Sequence, residues 1–369
     1  MFGKKSKAVV AGLSLVMALA PAVPAFAADG DAVTTIANPT VTKTMKANPG
    51  STFEKKFTFT ATPVQLTDTG AVDLTKVTAP AIDAVTTTAN GDAEGQAALT
   101  TEAFGFKDAT KYPQPGVYAY QVAETAGDVH LRKDERDLMT YDKTTYTVFV
   151  YVVNGEDGKL AVDAVTAVKG DVTSVEAAAS KTKEGQLAFE NSYWEYGDPD
   201  TDEDTKSVAL KVDKIVGGGM GEHDKSWTFT VKFDETDVKV KPKDNKIQYQ
   251  IVTTGSEAVD KNWADVPADG VYHVTDKQQI LFKNVVTGTK YTVTEAEADQ
   301  DGYKTTVTGG TLGQAAQLTD AGASETVTNT KNSTVVTGVI MNNAPFIVMI
   351  GVAAAGVAAY GAAKRKLEK

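Results

Sequence analysis

The sequence predicts an all-β protein, two tandem β-sandwich domains flanked by a signal peptide and a C-terminal transmembrane helix. Short runs of alternating apolar and polar residues recur along the middle of the chain, punctuated by Gly, Asn, Asp and Pro, which is the period-2 pattern of half-buried strands. Helical periodicity is confined there to one stretch, Asp171 to Lys183. Regular strand spacing of this kind favours sandwiches.

The elements follow in order. Lys4, Lys5 and Lys7 precede an apolar stretch from Ala8 to Leu19, and Ala25-Phe26-Ala27 fits a small-x-small cleavage site, so residues 1–27 read as a secretory signal peptide that is removed. The first domain is expected over residues 28–195, with strands at Phe57–Ala61, Gly116–Ala123, Thr144–Val153 and Gln186–Asn191. Residues 196–206 are acidic and lack apolar alternation, and read as an interdomain linker. Asp198, Asp200 and Asp202 alternate as in a calcium loop, but the Gly and distal Glu of an EF-hand are missing, so a solvated linker is the better reading. The second domain is expected over 207–332, with strands at Val208–Ile215, Trp227–Phe233, Lys246–Val252 and Lys290–Glu295. Residues 333–369 contain Thr334-Val335-Val336-Thr337-Gly338, an apolar run over 344–363, and Lys364-Arg365-Lys366. A run of about twenty residues at about 1.5 Å rise spans a bilayer core as a helix, with the basic cluster on the cytoplasmic side.

Composition excludes several functions. The formal net charge is −11 and becomes more negative once both basic ends are processed, which argues against a nucleic-acid partner. An exported chain would permit disulfides, yet there are no cysteines. With only His130, His223 and His273, no nucleophile elbow and no metal-ligand cluster, nothing equips the chain as an enzyme on external substrates or calls for a cofactor or a metal. Gly217-Gly218-Gly219 precedes no Lys-Ser/Thr and reads as a hairpin loop.

Chemistry is expected where three residue types break the strand pattern in both halves. Lys43 has the parity of Val41, and Lys214 that of Leu210, Val212 and Val216. Glu124 continues the face of Tyr118, Tyr120 and Val122; Glu295 continues that of Tyr291 and Val293. Asn191 continues Leu187 and Phe189, whereas Asn329 has only Val327 behind it. Side-chain alternation therefore aims one Lys, one Glu and one Asn at each core. Any one of these could instead sit at a strand end, in a surface pair or in a turn; the repetition in the same chain order favours the inward reading. Buried charges must pair, neutralise or react. Desolvation lowers the pKa of a buried Lys and raises that of a buried Glu, so a neutral amine beside a neutral carboxylic acid is plausible. Such a set can exchange an amide: the Lys amine attacks the Asn carbonyl, the Glu polarises that carbonyl and shuttles protons, and ammonia leaves a Lys–Asn isopeptide bond.

Val41-Thr42-Lys43, residues 116–124, residues 141–148 and Leu187-Ala188-Phe189-Glu190-Asn191 resemble the pilin isopeptide-linkage domain of streptococcal T-antigen-type backbone pilins. Lys214, Tyr291-Thr292-Val293-Thr294-Glu295, Gly302-Tyr303 and Val327-Thr328-Asn329 are similar to the C-terminal domain of those pilins and to the B-type repeats of Gram-positive collagen adhesins. The resemblance covers nearly all of the mature chain. It implies Ig-like/B-type sandwiches with bonds Lys43–Asn191, assisted by Glu124, and Lys214–Asn329, assisted by Glu295. Asn332 is a fallback acceptor in the second domain.

The C-terminal pattern resembles the sorting signal of Gram-positive surface proteins, which a sortase cuts between Thr and Gly, here Thr337 and Gly338. Val335-Val336 stand in a pentapeptide whose best-known versions carry a Pro. Backbone pilins also carry a lysine that receives the next subunit shortly before the first acceptor Asn, which points to Lys183, or else Lys181. The Trp-Tyr-Pro-Lys motif of other backbone pilins is absent around Ser192-Tyr193-Trp194-Glu195-Tyr196. The resemblance thus implies a structural subunit of a covalently polymerised pilus on the cell wall of a Gram-positive bacterium, with a sortase, other pilin subunits and peptidoglycan as partners. A host surface ligand is a further partner it allows, and the alternative is a singly wall-anchored adhesin or minor pilin that does not polymerise.

Overall fold

The computed structural model describes residues 39–82, 84–90, 100–155, 157–198, 208–254 and 262–333. The expected signal peptide, the sorting signal with Thr337 and Gly338, the apolar run and most of the acidic linker lie outside these residues. Among the described residues no helix is long and apolar enough to cross a membrane.

The described chain is nearly all β, in four sheets. Its first half contains β1 (Thr40–Lys46), β2 (Thr52–Val64), β3 (Val85–Asn90), β4 (Thr100–Ala103) and β5 (Gly116–Thr125). Next come β6 (Asp137–Thr140), β7 (Thr145–Asn154), β8 (Leu160–Lys169), a short helix α1 (Val175–Ala179) and β9 (Leu187–Glu195). They form a sheet of order β4-β1-β9-β6 and another of order β3-β2-β5-β7-β8. Alternation in β2 turns Phe53, Phe57, Phe59 and Ala61 inward, where they meet Val41 and Met45 of β1 and Leu187, Phe189 and Tyr193 of β9 in one core. That is the packing of a sandwich.

β5 and β7 are buried on both faces over part of their length, because α1 and the chain before it cover the outside of their sheet. Leu66, Val117, Ala119, Phe149, Val168, Val172, Val175 and Ala178 form this second layer. The helical periodicity of residues 171–183 yields only the five residues of α1. Upstream, the backbone is held by the sheet instead: Val172 N donates to Thr147 Oγ1 (2.9 Å) and Thr67 N to Thr173 O (2.9 Å). Ser174 caps the helix through Ala177 N, and the Asp68 carboxylate accepts from Val175 N and Glu176 N.

The second half contains β10 (Val208–Gly217), β11 (Trp227–Asp234), β12 (Gln248–Thr253), β13 (Ala264–Asp265) and β14 (Val271–Val274). It ends with β15 (Gln278–Lys283), β16 (Lys290–Glu295), β17 (Lys304–Thr308), β18 (Ala315–Gln317) and β19 (Ala323–Thr330). The sheets run β13-β12-β15-β10-β19-β17 and β14-β11-β16-β18 around Leu210, Val212, Trp227, Phe229, Ile280, Phe282, Val293 and Val327. In both halves the first and last strands are parallel neighbours, β1 with β9 and β10 with β19, and every other ladder is antiparallel.

The halves are joined by more than the chain. Tyr196 to Asp198, which the sequence groups with the acidic linker, are docked: Thr287 N donates to Glu195 O, Gly197 N to Val285 O and Asp198 N to Asp320 O. The fully buried Glu195 accepts from Arg132 Nε (2.8 Å), and Arg132 Nη2 reaches Asp320 Oδ2 (3.2 Å). Asn48, 1% exposed, accepts from Lys239 N and Val240 N (both 2.8 Å) and donates to Val240 O (2.6 Å). Gly50 has φ +84, and a Cβ there would stand 2.9 Å from Leu318 O, so only glycine permits this approach.

Asn48→Ala would strand two amides and a carbonyl at the junction, each costing about 1–3 kcal/mol if it stays dry. Amide exchange at Lys239 and Val240 should then accelerate about tenfold or more, while the amides of β5 and β11 keep their protection. Hydrogen-exchange mass spectrometry resolved to these segments checks this.

Candidate functional site

Strand register builds the same arrangement twice. In the first half Lys43 on β1 is opposite Phe189 on β9, and Asn191 lies two residues further along β9. In the second, Lys214 on β10 is opposite Val327 on β19, and Asn329 lies two residues further. Because strand side chains alternate, Lys and Asn share the inner face as diagonal neighbours. The glutamates come from the facing sheets. Glu124 on β5 is opposite Phe59 on β2, and Glu295 on β16 is opposite Phe229 on β11. Lys and Glu are 81 residues apart in both halves.

The structure therefore brings Lys43, Glu124 and Asn191 together. Lys43 Nζ donates to Glu124 Oε2 at 2.9 Å, and Asn191 Nδ2 donates to Glu124 Oε1 at 2.7 Å. It likewise brings together Lys214, Glu295 and Asn329: Lys214 Nζ lies 2.6 Å from Glu295 Oε1, and Asn329 Nδ2 lies 3.0 Å from the same oxygen. All four charged side chains are 0% exposed. Each ammonium sits over an aromatic ring, Lys43 over Phe57 (4.6 Å to the centroid) and Lys214 over Trp227 (4.0 Å). These rings exclude water, while their π faces partly compensate a cation.

Burial sets the electrostatics. Desolvation lowers the pKa of Lys43 and that of Lys214, against the opposing pull of their glutamates, and desolvation raises that of Glu124. Moving one proton from Lys43 to Glu124 converts a buried ion pair into a neutral amine and a neutral acid, and low dielectric favours that shift. A neutral amine beside a carboxamide that is itself bonded to the carboxyl group is the composition amide exchange requires.

The two sites differ at the Asn carbonyl. Asp142 N donates to Asn191 Oδ1 at 2.7 Å, and the Asp142 carboxylate is fixed by Thr144 N and Glu190 N, both at 2.7 Å. Asn329 Oδ1 and Glu295 Oε2 are buried and have no hydrogen-bond partner among the described residues.

The other anticipated residues lie apart. Asn332 is exposed beyond the end of β19. Lys183 is half-buried, with Nζ donating to Ala178 O (2.5 Å) and Lys181 O (3.2 Å) behind α1, and burial lowers its pKa. Lys181, in the same turn, is exposed. Thr337 and Gly338 are outside the described residues. Among the described residues no cluster of His, Asp and Glu could hold a metal ion. The expected contact of each glutamate with the Asn carbonyl is not what the structure shows, since Glu124 and Glu295 both meet the Asn Nδ2 and the Asn191 oxygen is held by the Asp142 peptide. Sequence reasoning missed that peptide, Phe57 and Trp227. Phe57 and Trp227 had inward parity, but only the packing of one sheet on the other places a ring under a given lysine.

Residues 39–194 match the family described as Spy0128-like isopeptide containing domain, and residues 208–337 match a domain of unknown function, DUF7601. A curated protein called pilin, from Streptococcus pyogenes serotype M1, is 29% identical over 294 residues, 75% of each chain. Solved structures of the major pilin proteins T3.2 and T-13 of Streptococcus pyogenes are 20% and 23% identical, each over 80% of this chain and 98% of its own, with TM-scores of 0.32 and 0.34.

Removing one partner of a dry pair leaves an uncompensated charge. In an Asn191→Ala background, where no cross-link at that position can mask the effect, Glu124→Ala should lower stability by about 3–5 kcal/mol. Replacing the pair together, Lys43→Met with Glu124→Leu, should recover most of that loss. Urea unfolding of the three variants checks both values.

Proposed function

We propose that this chain, which resembles the Gram-positive backbone pilins, is a structural subunit of a pilus, stiffened in each domain by a self-catalysed isopeptide bond: Lys43–Asn191 in the first and Lys214–Asn329 in the second. One observation supports this above the others: the Lys, Glu and Asn of each half occupy the same register positions on the first, middle and last strands. Glu124 and Glu295 serve as proton carriers. The Lys amine adds to the Asn Cγ, the glutamate takes the amine's proton and delivers it to the departing Nδ2, and one ammonia leaves per bond.

On this reading the first domain is an isopeptide-linkage sandwich and the second a B-type one, exported by the leader over residues 1–27 and held by the span over 344–363 until sorting. A sortase cleaves between Thr337 and Gly338 and passes the Thr337 acyl group to an amine of the next subunit or, at the base, of peptidoglycan. Lys183 is the acceptor that the resemblance implies, and Lys181 is the more exposed of the two. A neutral Lys183 amine would be nucleophilic, but it must leave the Ala178 and Lys181 carbonyls to react. Each internal bond closes a loop on the order of a hundred residues, which restricts the unfolded chain by about 4–5 kcal/mol on a loop-entropy argument. This replaces the disulfides that the sequence lacks.

For the piece running from Ala28 to Thr337, intact mass should fall about 34 Da below the sequence value, one ammonia for each of two bonds. Glu124→Ala and Glu295→Ala should each retain one ammonia and lose resistance to heat and trypsin. Folded protein of unshifted mass would reject the internal bonds.

Polymerisation is tested separately in cells. Wall extracts should give a ladder on immunoblots that collapses to monomer in Lys183→Ala, with both internal bonds kept. A ladder lost only with Lys181→Ala moves the acceptor two residues upstream. A single wild-type band would favour the singly anchored adhesin.

A further inference from the structure

Of the two candidate sites, only the first has, among the described residues, a donor on the carbonyl oxygen that must carry charge during amide exchange. Addition of the Lys43 amine to Asn191 Cγ forms the new C–N bond and pushes the carbonyl π electrons onto Oδ1. Collapse returns them, breaks the bond to Nδ2 and releases ammonia, with Glu124 moving the proton from Nζ to Nδ2. Nothing is oxidised or reduced. A backbone N–H already 2.7 Å from Oδ1 meets the geometric requirement for an oxyanion donor; Asn191 is fully buried and Asp142 half-buried.

The donor is held firmly. The Asp142 side chain accepts from Thr144 N on its C-terminal side through Oδ1 and from Glu190 N through Oδ2. The second of these bonds goes to the residue just before Asn191, so one residue clamps the turn between β6 and β7 to the acceptor position on β9. The residue types around Asn191 also fix which end of its amide is oxygen: Nδ2 faces a carboxylate and Oδ1 faces an N–H.

The second site lacks this part. Asn329 Oδ1 is buried with no partner among the described residues, and one oxygen of Glu295 serves both Lys214 and Asn329 while Oε2 has none. Asp276, the carboxylate beside β10, is spent elsewhere, accepting from Val216 N and pairing with His223.

We infer that the Asp142 peptide is an oxyanion donor for the first isopeptide bond, with the Asp142 carboxylate as its positioning group, and that the two bonds consequently form at different rates, Lys43–Asn191 ahead of Lys214–Asn329. This rests on the bond assignments proposed above. Loss of a single oxyanion donor costs about 10²–10³ in rate in enzymes. A difference of at least about tenfold between the two bonds is the expected reading.

The test uses the full mature chain, kept unlinked in concentrated urea and diluted to start both domains together. Samples quenched over time and digested give the two linked peptides separately by mass spectrometry. In the wild type the Lys43–Asn191 peptide should appear first, with a half-time at least about tenfold shorter. Asp142→Pro, which removes the N–H, should slow that bond to the pace of the other or below and leave Lys214–Asn329 unchanged. Asp142→Asn, which keeps a side-chain acceptor, should fall between. Equal melting temperatures of Asn191→Ala with and without Asp142→Pro separate this from a folding defect, and if the proline variant does not fold, the two wild-type half-times decide alone. Equal half-times, a faster second bond, or a folded Asp142→Pro chain with an unchanged first bond would overturn the inference. If neither linked peptide forms in folded wild type, the isopeptide reading itself falls, which is a separate and recognisable outcome.

Discussion

A lysine that cannot reach water constrains everything around it. Lys43 and Lys214 are each fully buried, and an ammonium in such a place costs several kcal/mol unless it is paired or neutralised. The fold meets this demand in three ways at once. A glutamate from the facing sheet supplies a counter-charge, an aromatic ring below supplies a π face, and burial itself lowers the pKa of the amine. These devices work only if both sheets keep their register, because the Lys and Asn belong to one sheet and the Glu to the other. A slip of one residue in any of these strands would turn its functional side chain to the opposite face. Register and chemistry are therefore fixed together.

The parallel pairing of first and last strands gives the arrangement its mechanical meaning. Parallel neighbours need a long connection, and here that connection is the rest of the domain. In the proposed function, tension entering at β1 crosses to β9 through the Lys43–Asn191 bond, so the strands from β2 to β8 are bypassed. The second domain repeats the path from β10 to β19. In both, the acceptor lies two residues past the register partner of the lysine, so the link runs diagonally, and hydrogen bonds of the same ladder flank it on both sides.

Much of this was legible in the sequence, and what was not has a common cause. Period-2 alternation identified strands such as Gly116–Ala123 and Lys290–Glu295 because each has one face on a core, and parity repeated in the same chain order in both halves turned Lys43, Glu124, Asn191, Lys214 and Glu295 inward. Asn329 carried a weaker signal, since only Val327 preceded it on the same face; in the structure its burial comes from β10 and β17 on either side. Residues 171–183 have helical periodicity, yet most of that stretch is irregular, because Val172 and Thr173 bond to Thr147 and Thr67, far away in sequence. The rings under the lysines and the Asp142 peptide were invisible for the same reason. Sheet-on-sheet packing and a turn that crosses to another strand are long-range facts. A backbone N–H leaves no trace in residue identity.

The junction shows how the two halves differ in kind from their contact. Within each half, the proposed load path is covalent. Between them it follows the chain from β9 to β10, and the contacts beside it are polar: Asn48 on Lys239 and Val240, Ser51 on Thr287, Arg132 on Asp320. Such contacts resist bending because each requires a specific geometry, but none of them is covalent. Tyr196 to Asp198 strengthen this division by docking on Val285, Val286 and Asp320. Under force the junction should therefore yield before either sandwich, and its hydrogen bonds can re-form when the load is released, since none of them depends on a step of covalent chemistry.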